Sequence, residues 1–347
     1  MQYVPVVSST GKPLMPCHAA RCRRLVRRGK GIKKWRKGLM FLQLTERADG
    51  VVQEVVLGVD PGSKKEAFTI KSENHTFVNL QADAVTHVKD AVKTRREMRR
   101  GRRFRKTPCR ANRKNRERGG LVPSTKARWQ WKLRVCRWLM QLYPIACFVV
   151  EDIKAATKPG QRRWNRSFSP LEVGKQWFYG ELRKLGPKLE LKSGWDTHQA
   201  REGLGLKKIG QKLSDRFEAH CVDSWVLANG WVGGHLRPEN TQVQCLVPLR
   251  WHRRQLHRFQ PGKGGIRQPY GGTHSLGFKR GSLVRHILKH GLSYVGGTLK
   301  GRLSLHSLGT GKRLCQSARP EDCAFLTRLS WRLTPVQKGK IEDERKQ

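Results

Sequence analysis

The sequence predicts an α/β fold built on a mixed sheet. Strand-like runs VVLGVD, AFTIKS and HTFVNLQA follow one another between residues 55 and 83, an amphipathic helical stretch then precedes the strand-like CFVVED, and a helical, a strand-like and a second helical stretch complete the order. Consecutive runs of about four to eight residues bounded by turn residues suggest a meander. The alternation that follows suggests helices layered on the sheet.

Residues 1–54 read as a small N-terminal module: an extended start, the run KPLMP at Lys12 to Pro16, a basic helical stretch from Ala19 to Arg28, and a strand GLMFLQL. Residues 55–83 hold the meander. In 84–118, Arg96, Arg99, Arg100 and Arg103 follow i, i+3, i+4, i+7 spacing and make one helix face a cationic stripe. Gly101 weakens that helix by about 1 kcal/mol relative to Ala, and Pro108 ends it. Residues 119–213 begin with the helix STKARWQWKLRVCRWLMQLY, capped by Ser124, with Trp131, Val135, Trp138 and Leu142 on one side. Strand CFVVED, a loop rich in Lys, Arg and Pro, a helix around LEVGKQWFYGELRKL and a strand KLELKS follow. Residues 214–232 form a helix from about Asp215 to Val232, with Asp215 and Glu218 as its start signal. Three strands, helix, strand, helix, strand, helix is the order of the ribonuclease H architecture. Residues 233–347 read as a β-rich module with strand candidates TQVQCLV, SLVRHIL, LSYVGG, GRLSLHSL and AFLTRLSWRL, then a frayed tail from Val336.

The 347 residues carry 72 Lys and Arg against 26 Asp and Glu, a formal charge of +46. That surplus exceeds what solubility requires and calls for a polyanionic partner. Binding by counterion release then weakens by roughly one log unit per log unit of salt for each phosphate neutralised. No run approaches the roughly 18 apolar residues of a membrane span, and MQYVPVVSSTGKP lacks a signal-peptide core, so the expectation is a soluble intracellular protein with no membrane partner. An apolar fraction of 37% supports one substantial core, and much of the remainder orders on nucleic acid. Nine cysteines without a CxxC pair signal no disulfide framework. Cys17 and Cys22 with His18 between them, joined by Cys315 and Cys323, could form a zinc site, but the spacing fits ordinary buried thiols better.

Against this cationic background, Asp60 closes VVLGVD, Glu151 closes CFVVE, and Asp223 lies three residues after His220. Phosphodiester hydrolysis needs a nucleophilic water, stabilised phosphoryl charge and a stabilised leaving oxygen, which two Mg²⁺ ions roughly 4 Å apart supply. Three carboxylates are the minimal protein share, and Mn²⁺ suits the same donors. Each residue alone has a plainer reading: Asp60 in DPG as a turn residue, His220 as a packing histidine, Asp223 as a solvated helix acid. Adjacent strand residues point to opposite faces, so only one of Glu151 and Asp152 can enter such a site. On the predicted helix, His220 shares a face with Asp223 and could orient or deprotonate the attacking water. Trp129, Trp131, Trp164, Trp177 and Phe178 could stack on bases, although core packing is the commoner fate.

With GVDPGSK, the arginine-rich helix, VVED and a final HxxD in place, the chain resembles the split RuvC nucleases of the transposon-encoded IscB and IsrB proteins, relatives of the CRISPR RNA-guided nucleases. KPLMPCHAARCRRLVRRG is similar to their short N-terminal PLMP domain, and SFSPLEVGKQWFYGELRKL and RRQLHRFQPGKGGIRQPYGG extend the likeness over nearly the whole chain. IscB carries an HNH nuclease between its second and third RuvC segments; here the interval Asp152 to Ala219 contains a single histidine, His198. The resemblance therefore points to the IsrB form.

It implies an RNA-guided DNA nickase using a long structured guide RNA, acting as a monomer within a ribonucleoprotein in the prokaryotic cytoplasm, on double-stranded target DNA with a flanking motif. Asp60, Glu151, His220 and Asp223 would be its catalytic and metal-binding set, cutting the displaced non-target strand. The arginine-rich stretch would be a bridge helix whose Arg95, Arg96, Arg99, Arg100, Arg102, Arg103, Arg105, Arg110 and Arg113 hold nucleic acid. The C-terminal module would contact guide RNA and read the flanking motif, with base pairing supplying sequence specificity. A globule of this length has a radius of gyration of roughly 20 Å, whereas a guide–target duplex of about 20 base pairs spans roughly 60 Å; the RNA should form much of the scaffold. The alternatives are a guide-independent RuvC-type nuclease, structure-specific or transposition-associated, and a catalytically inactive RNA-binding scaffold.

Overall fold

The structure, a computed structural model, describes residues 3–104, 121–154, 169–249, 259–260, 265–266, 274–288 and 290–334. The chain divides into two compact units, residues 1–51 with 242–347, and residues 52–241.

In the first unit, β1 (Tyr3–Val7), β2 (Pro13–His18), β3 (Gly31–Arg36) and β4 (Leu39–Leu44) form a sheet in the order β2-β1-β4-β3, with α1 (Ala19–Arg27) between β2 and β3. The run KPLMP carries no strand signal, yet its Pro13 to Pro16 lie in β2. Pro13 and Pro16 are accommodated there because β2 is an edge strand, where a missing N–H costs no ladder bond. Residues 242–347 contribute a five-stranded antiparallel sheet ordered Arg313–Ala318, Arg302–Ser307, Gly291–Leu299, Ser282–His286, Cys323–Arg328. The first of these strands was not anticipated, since RLCQSA shows no apolar alternation. Cys22 packs in the core of the N-terminal sheet with Cys17 against it, and Cys323 in that of the C-terminal sheet with Cys315 against it. Each pair serves a separate core, and His18 caps α1 by accepting from the Ala20 N–H at 3.3 Å. The tail from Val336 and most of RRQLHRFQPGKGGIRQPYGG lie outside the described residues.

The second unit contains β5 (Val55–Asp60), β6 (Lys65–Ser72), β7 (Thr76–Asp83), α2 (His87–Phe104), α3 (Pro123–Met140), β8 (Ile145–Asp152), α4 (Pro170–Arg183), β9 (Lys188–Ser193), α5 (Gly194–Gly203) and α6 (Cys221–Val232). Its strands run β7-β6-β5-β8-β9, antiparallel through the meander and parallel across β5-β8-β9. This is the mixed sheet of the ribonuclease H-like fold. β5 is central and covered on both faces, which explains its near-continuous apolar run: Val55, Val56, Leu57 and Val59 are fully buried. α6 lies directly on it. A methyl at Gly58 would stand 2.0 Å from the Ser224 carbonyl oxygen, so only glycine permits the approach. Above β6 the Thr69 and Ser224 hydroxyls share a hydrogen bond of 2.7 Å. The buried Lys71 amine donates to the carbonyls of Ser72, Glu73 and Gly233, placing a cation at the C-terminal end of α6 where the helix dipole favours it.

Helix starts differ from expectation at two places. Ser124 does not cap α3; Val122 holds the cap position without a side-chain bond and Pro123 occupies the first helical position, where its missing N–H costs nothing. Helix α6 starts at Cys221 rather than Asp215. Asp215 is drawn to Lys65, Phe217–Ala219 forms a single 3₁₀ turn, and His220, with φ −143°, breaks the path. Helix α5 was missed altogether, because glycine at both ends and a mixed polarity conceal its period. Its start signal is nonetheless present: Ser193 and Asp196 form a reciprocal capping box.

Candidate metal centre

Two neighbouring strands end side by side because β5 and β8 pair in parallel, with Val59 opposite Val150, so Asp60 and Glu151 emerge at the same edge. Asp60 shares the face of Gly58, two residues earlier, and therefore points to the α6 layer. Glu151 also faces this layer: its Oε1 would be 3.0 Å from a methyl built at Gly194, the first residue of α5. Asp223, in the first turn of α6, completes the group. One ligand oxygen from each of Asp60, Glu151 and Asp223 lies within 4.8 Å of the others, and no other such group of metal-ligating side chains exists among the described residues.

The electrostatics are those of crowded anions. Asp60 is 8% exposed and Asp223 2%. Burial, then the charges of Glu151 and Asp223, push the Asp60 carboxyl up to about 8. Burial and Asp223 also raise Glu151, against the opposing pull of Lys208 and Arg201. Those two cations contact Asp223 itself: Arg201 Nη1 donates to its Oδ1 at 2.6 Å, and Lys208 Nζ to its Oδ2. Neither was singled out in the sequence. Arg201 lies on the unanticipated α5 and Lys208 in the loop after it, so only the tertiary fold brings them to the carboxylates.

Asp152, beside Glu151, points the other way. Lys175 Nζ and the Tyr179 hydroxyl of α4 donate to its Oδ1 at 2.8 and 2.9 Å. Burial raises its carboxyl, but these two bonds prevail and hold it below the usual range. His220 sits at the N-cap of α6, not on the helix, and is not one of the grouped ligands. Its Nε2 is 3.0 Å from the Lys212 carbonyl, an oxygen that can only accept, so Nε2 carries the proton and Nδ1 the free lone pair. Burial lowers its pKa, which keeps the ring neutral at pH 7. His198 lies on exposed α5 surface with Nδ1 2.9 Å from Arg201 Nη2.

Arg95, Arg96, Arg99 and Arg100 are all exposed on α2, and Arg102 and Arg103 fall within the same helix. Arg105, Arg110 and Arg113, with Pro108 and Trp164, lie outside the described residues. Trp129, Trp131 and Phe178 are buried core residues.

Three grouped oxygen donors, with no salt bridge on Asp60 or Glu151 among the described residues, fit a hard divalent ion such as Mg²⁺ or Mn²⁺. No helix among the described residues is long and apolar enough to cross a membrane.

Residues 4–163 match the RRXRR protein family, a span that includes the run RRGRR at Arg99 to Arg103. No curated protein matches the chain in sequence. Among solved structures, the chain is similar to T. thermophilus RuvC in complex with a Holliday junction substrate, at 12% identity and TM-score 0.29, over 52% of this chain and 98% of that one. It is also similar to the yeast mitochondrial Holliday junction resolvase, at 14% identity and TM-score 0.28, over 52% of this chain and 78% of that one.

Proposed function

We propose that the chain is a divalent-metal-dependent DNA endonuclease, and that it acts as an RNA-guided nickase on the displaced strand of its target. The observation that carries the nuclease reading is the convergence of Asp60, Glu151 and Asp223 at one sheet edge in a chain of net charge +46. A stable protein gains nothing by facing buried carboxylates toward each other; a metal centre requires it.

Asp60, Glu151 and Asp223 would hold the ions, with His220 as a further ligand or a base. When bound, the ions would polarise the phosphoryl oxygens and lower the pKa of water. The neutral His220 has a lone pair at Nδ1 able to accept a proton from an attacking water. Arg201 and Lys208 neutralise Asp223 and orient its two oxygens. The cationic face of α2, with Arg95, Arg96, Arg99 and Arg100 exposed, supplies phosphate contacts that position nucleic acid without reading its sequence.

The RNA-guided part rests on the resemblance to the IsrB form and on the match of residues 4–163, which spans both the PLMP run and the arginine helix. The single-strand cut rests on the interval between Asp152 and Ala219, which holds β9, α4 and α5 and no histidine but His198.

The test is to express the gene with its flanking DNA, sequence the RNA that co-purifies, and present a matching supercoiled plasmid with Mg²⁺. The expected product is open-circular DNA, made only with the discrete RNA bound. Cutting without RNA would reduce the reading to a guide-independent nuclease. RNA binding with no cutting would leave a scaffold.

A further inference from the structure

Beyond the ends of β5 and β8, on the α3/α4 side of the sheet and so across its edge from the grouped carboxylates, lies a cavity of about 410 Å³. Pro61, the residue after Asp60, and Ile153, two after Glu151, form one side; Pro170 and Leu171 at the start of α4 form another; Arg128 and Trp129 of α3 close it. The wall is rigid. A methyl at Gly174 would stand 2.1 Å from Trp129 Nε1, the Trp129 ring packs on Phe178 at 5.2 Å between centroids, and the Lys132 ammonium lies 4.7 Å from its centre.

The lining selects the occupant. Lys132 faces the cavity, but its amine is committed to the buried Glu66 at 2.6 Å, so it does not invite an anion. Arg128 spends one donor on the Ser63 carbonyl at 2.6 Å, and guanidinium has five. Largely apolar walls from Pro61, Trp129, Ile153, Pro170 and Leu171, with Ser63, Thr125 and Arg128 as further polar lining, suit a flat, uncharged ring whose attached phosphate meets the Arg128 guanidinium. The volume falls in the lower part of the roughly 300–1,000 Å³ range of small-molecule pockets, enough for one nucleotide and too small for a base pair.

We propose that this cavity receives the unpaired base of a nucleotide beside the scissile phosphate, with Arg128 holding that nucleotide's phosphate. The proposal rests on the nuclease reading above and deepens it. It supplies a reason for acting on a displaced strand: a single-stranded base enters without the unpairing cost that a duplex must meet. Because apolar walls contact ring faces, which every base has, the site grips position rather than sequence.

The test uses the ribonucleoprotein, a target duplex, and a non-target strand in which a single abasic residue is walked across the cut. The proposal expects one position next to the cleaved bond where base loss slows nicking roughly tenfold or more. In the variant Leu171→Trp, which fills the cavity, abasic and intact strands should be cut at the same reduced rate, while calorimetric uptake of Mn²⁺ matches wild type and shows the fold intact. In wild-type protein, 2-aminopurine at the sensitive position should change fluorescence on binding with Ca²⁺ in place of Mg²⁺. A flat abasic profile with normal cutting would overturn the pocket and leave the nuclease standing, as would retained position dependence in a folded Leu171→Trp. No cutting of any strand would sink the nuclease reading, and the pocket with it.

Discussion

The two faces of the sheet in residues 52–241 treat carboxylates in opposite ways. On the α3/α4 face each is matched: Glu66 with Lys132, and Asp152 and Glu172 with Lys175. On the α6 face Asp60 and Glu151 have no ion-pair partner among the described residues, and two cations are gathered on Asp223 instead. The neighbours Glu151 and Asp152 show the contrast at the spacing of one residue: the first is pushed up by burial and Asp223, the second held down by Lys175 and Tyr179. The matched face is explained by folding. The unmatched face has no such pairing for Asp60 and Glu151 among the described residues, and a bound divalent ion is the proposed counterpart.

The largest effects should come from opposite failures on the two faces. Asp60→Ala or Glu151→Gln should lower nicking by roughly 10³-fold or more while RNA and DNA binding persist, because binding rests on remote Lys and Arg; plasmid nicking and gel-shift assays on the same preparation check both. On the other face, Lys132→Ala strands the Glu66 carboxylate in the core and should cost about 3–5 kcal/mol in urea unfolding. The joint replacement Glu66→Leu with Lys132→Met should be nearly neutral, because the partners are removed together.

A smaller effect sharpens the comparison through pH. Asp60 titrates at about 8 in the metal-free fold and at about 3.9 unfolded, so between those values the folded chain holds a proton that the unfolded chain has lost. Stability of the metal-free protein should therefore fall as pH rises through this window, and Asp60→Asn should melt a few degrees above wild type at the upper end. Lys208→Gln should tighten Mn²⁺ binding several-fold, since it removes a competing cation from Asp223. Replacing Arg95, Arg96, Arg99 and Arg100 together by Ala should lower the slope of log affinity against log salt by about three.

The mixed sheet, the order of its elements along the chain and the grouping of the three carboxylates were legible in the sequence because each leaves local signals: apolar runs, turn residues, acids at the ends of two strands and one on a helix. Alternation along a strand was enough to see that only one of Glu151 and Asp152 could enter the centre. What escaped depends on contacts between distant segments. Asp215 with Glu218 is a sound helix start in isolation, yet Lys65 draws Asp215 away and the helix begins at Cys221. That shift moves His220 from a helix face to a cap. Arg201 and Lys208 carry no pattern that marks them as partners of Asp223, and α5 shows only its capping box. Edge-strand prolines hid β2 for a similar reason, since their tolerance depends on which neighbour the strand lacks.

The central claim, that the unmatched carboxylates exist to hold divalent ions, is tested most directly by calorimetric titration of the metal-free chain with Mn²⁺ at pH 7. Wild-type protein should take up Mn²⁺ and release about one proton as the Asp60 carboxyl ionises, and Asp60→Asn should abolish both uptake and release. Undiminished Mn²⁺ binding by Asp60→Asn, or none by the wild type, would contradict it.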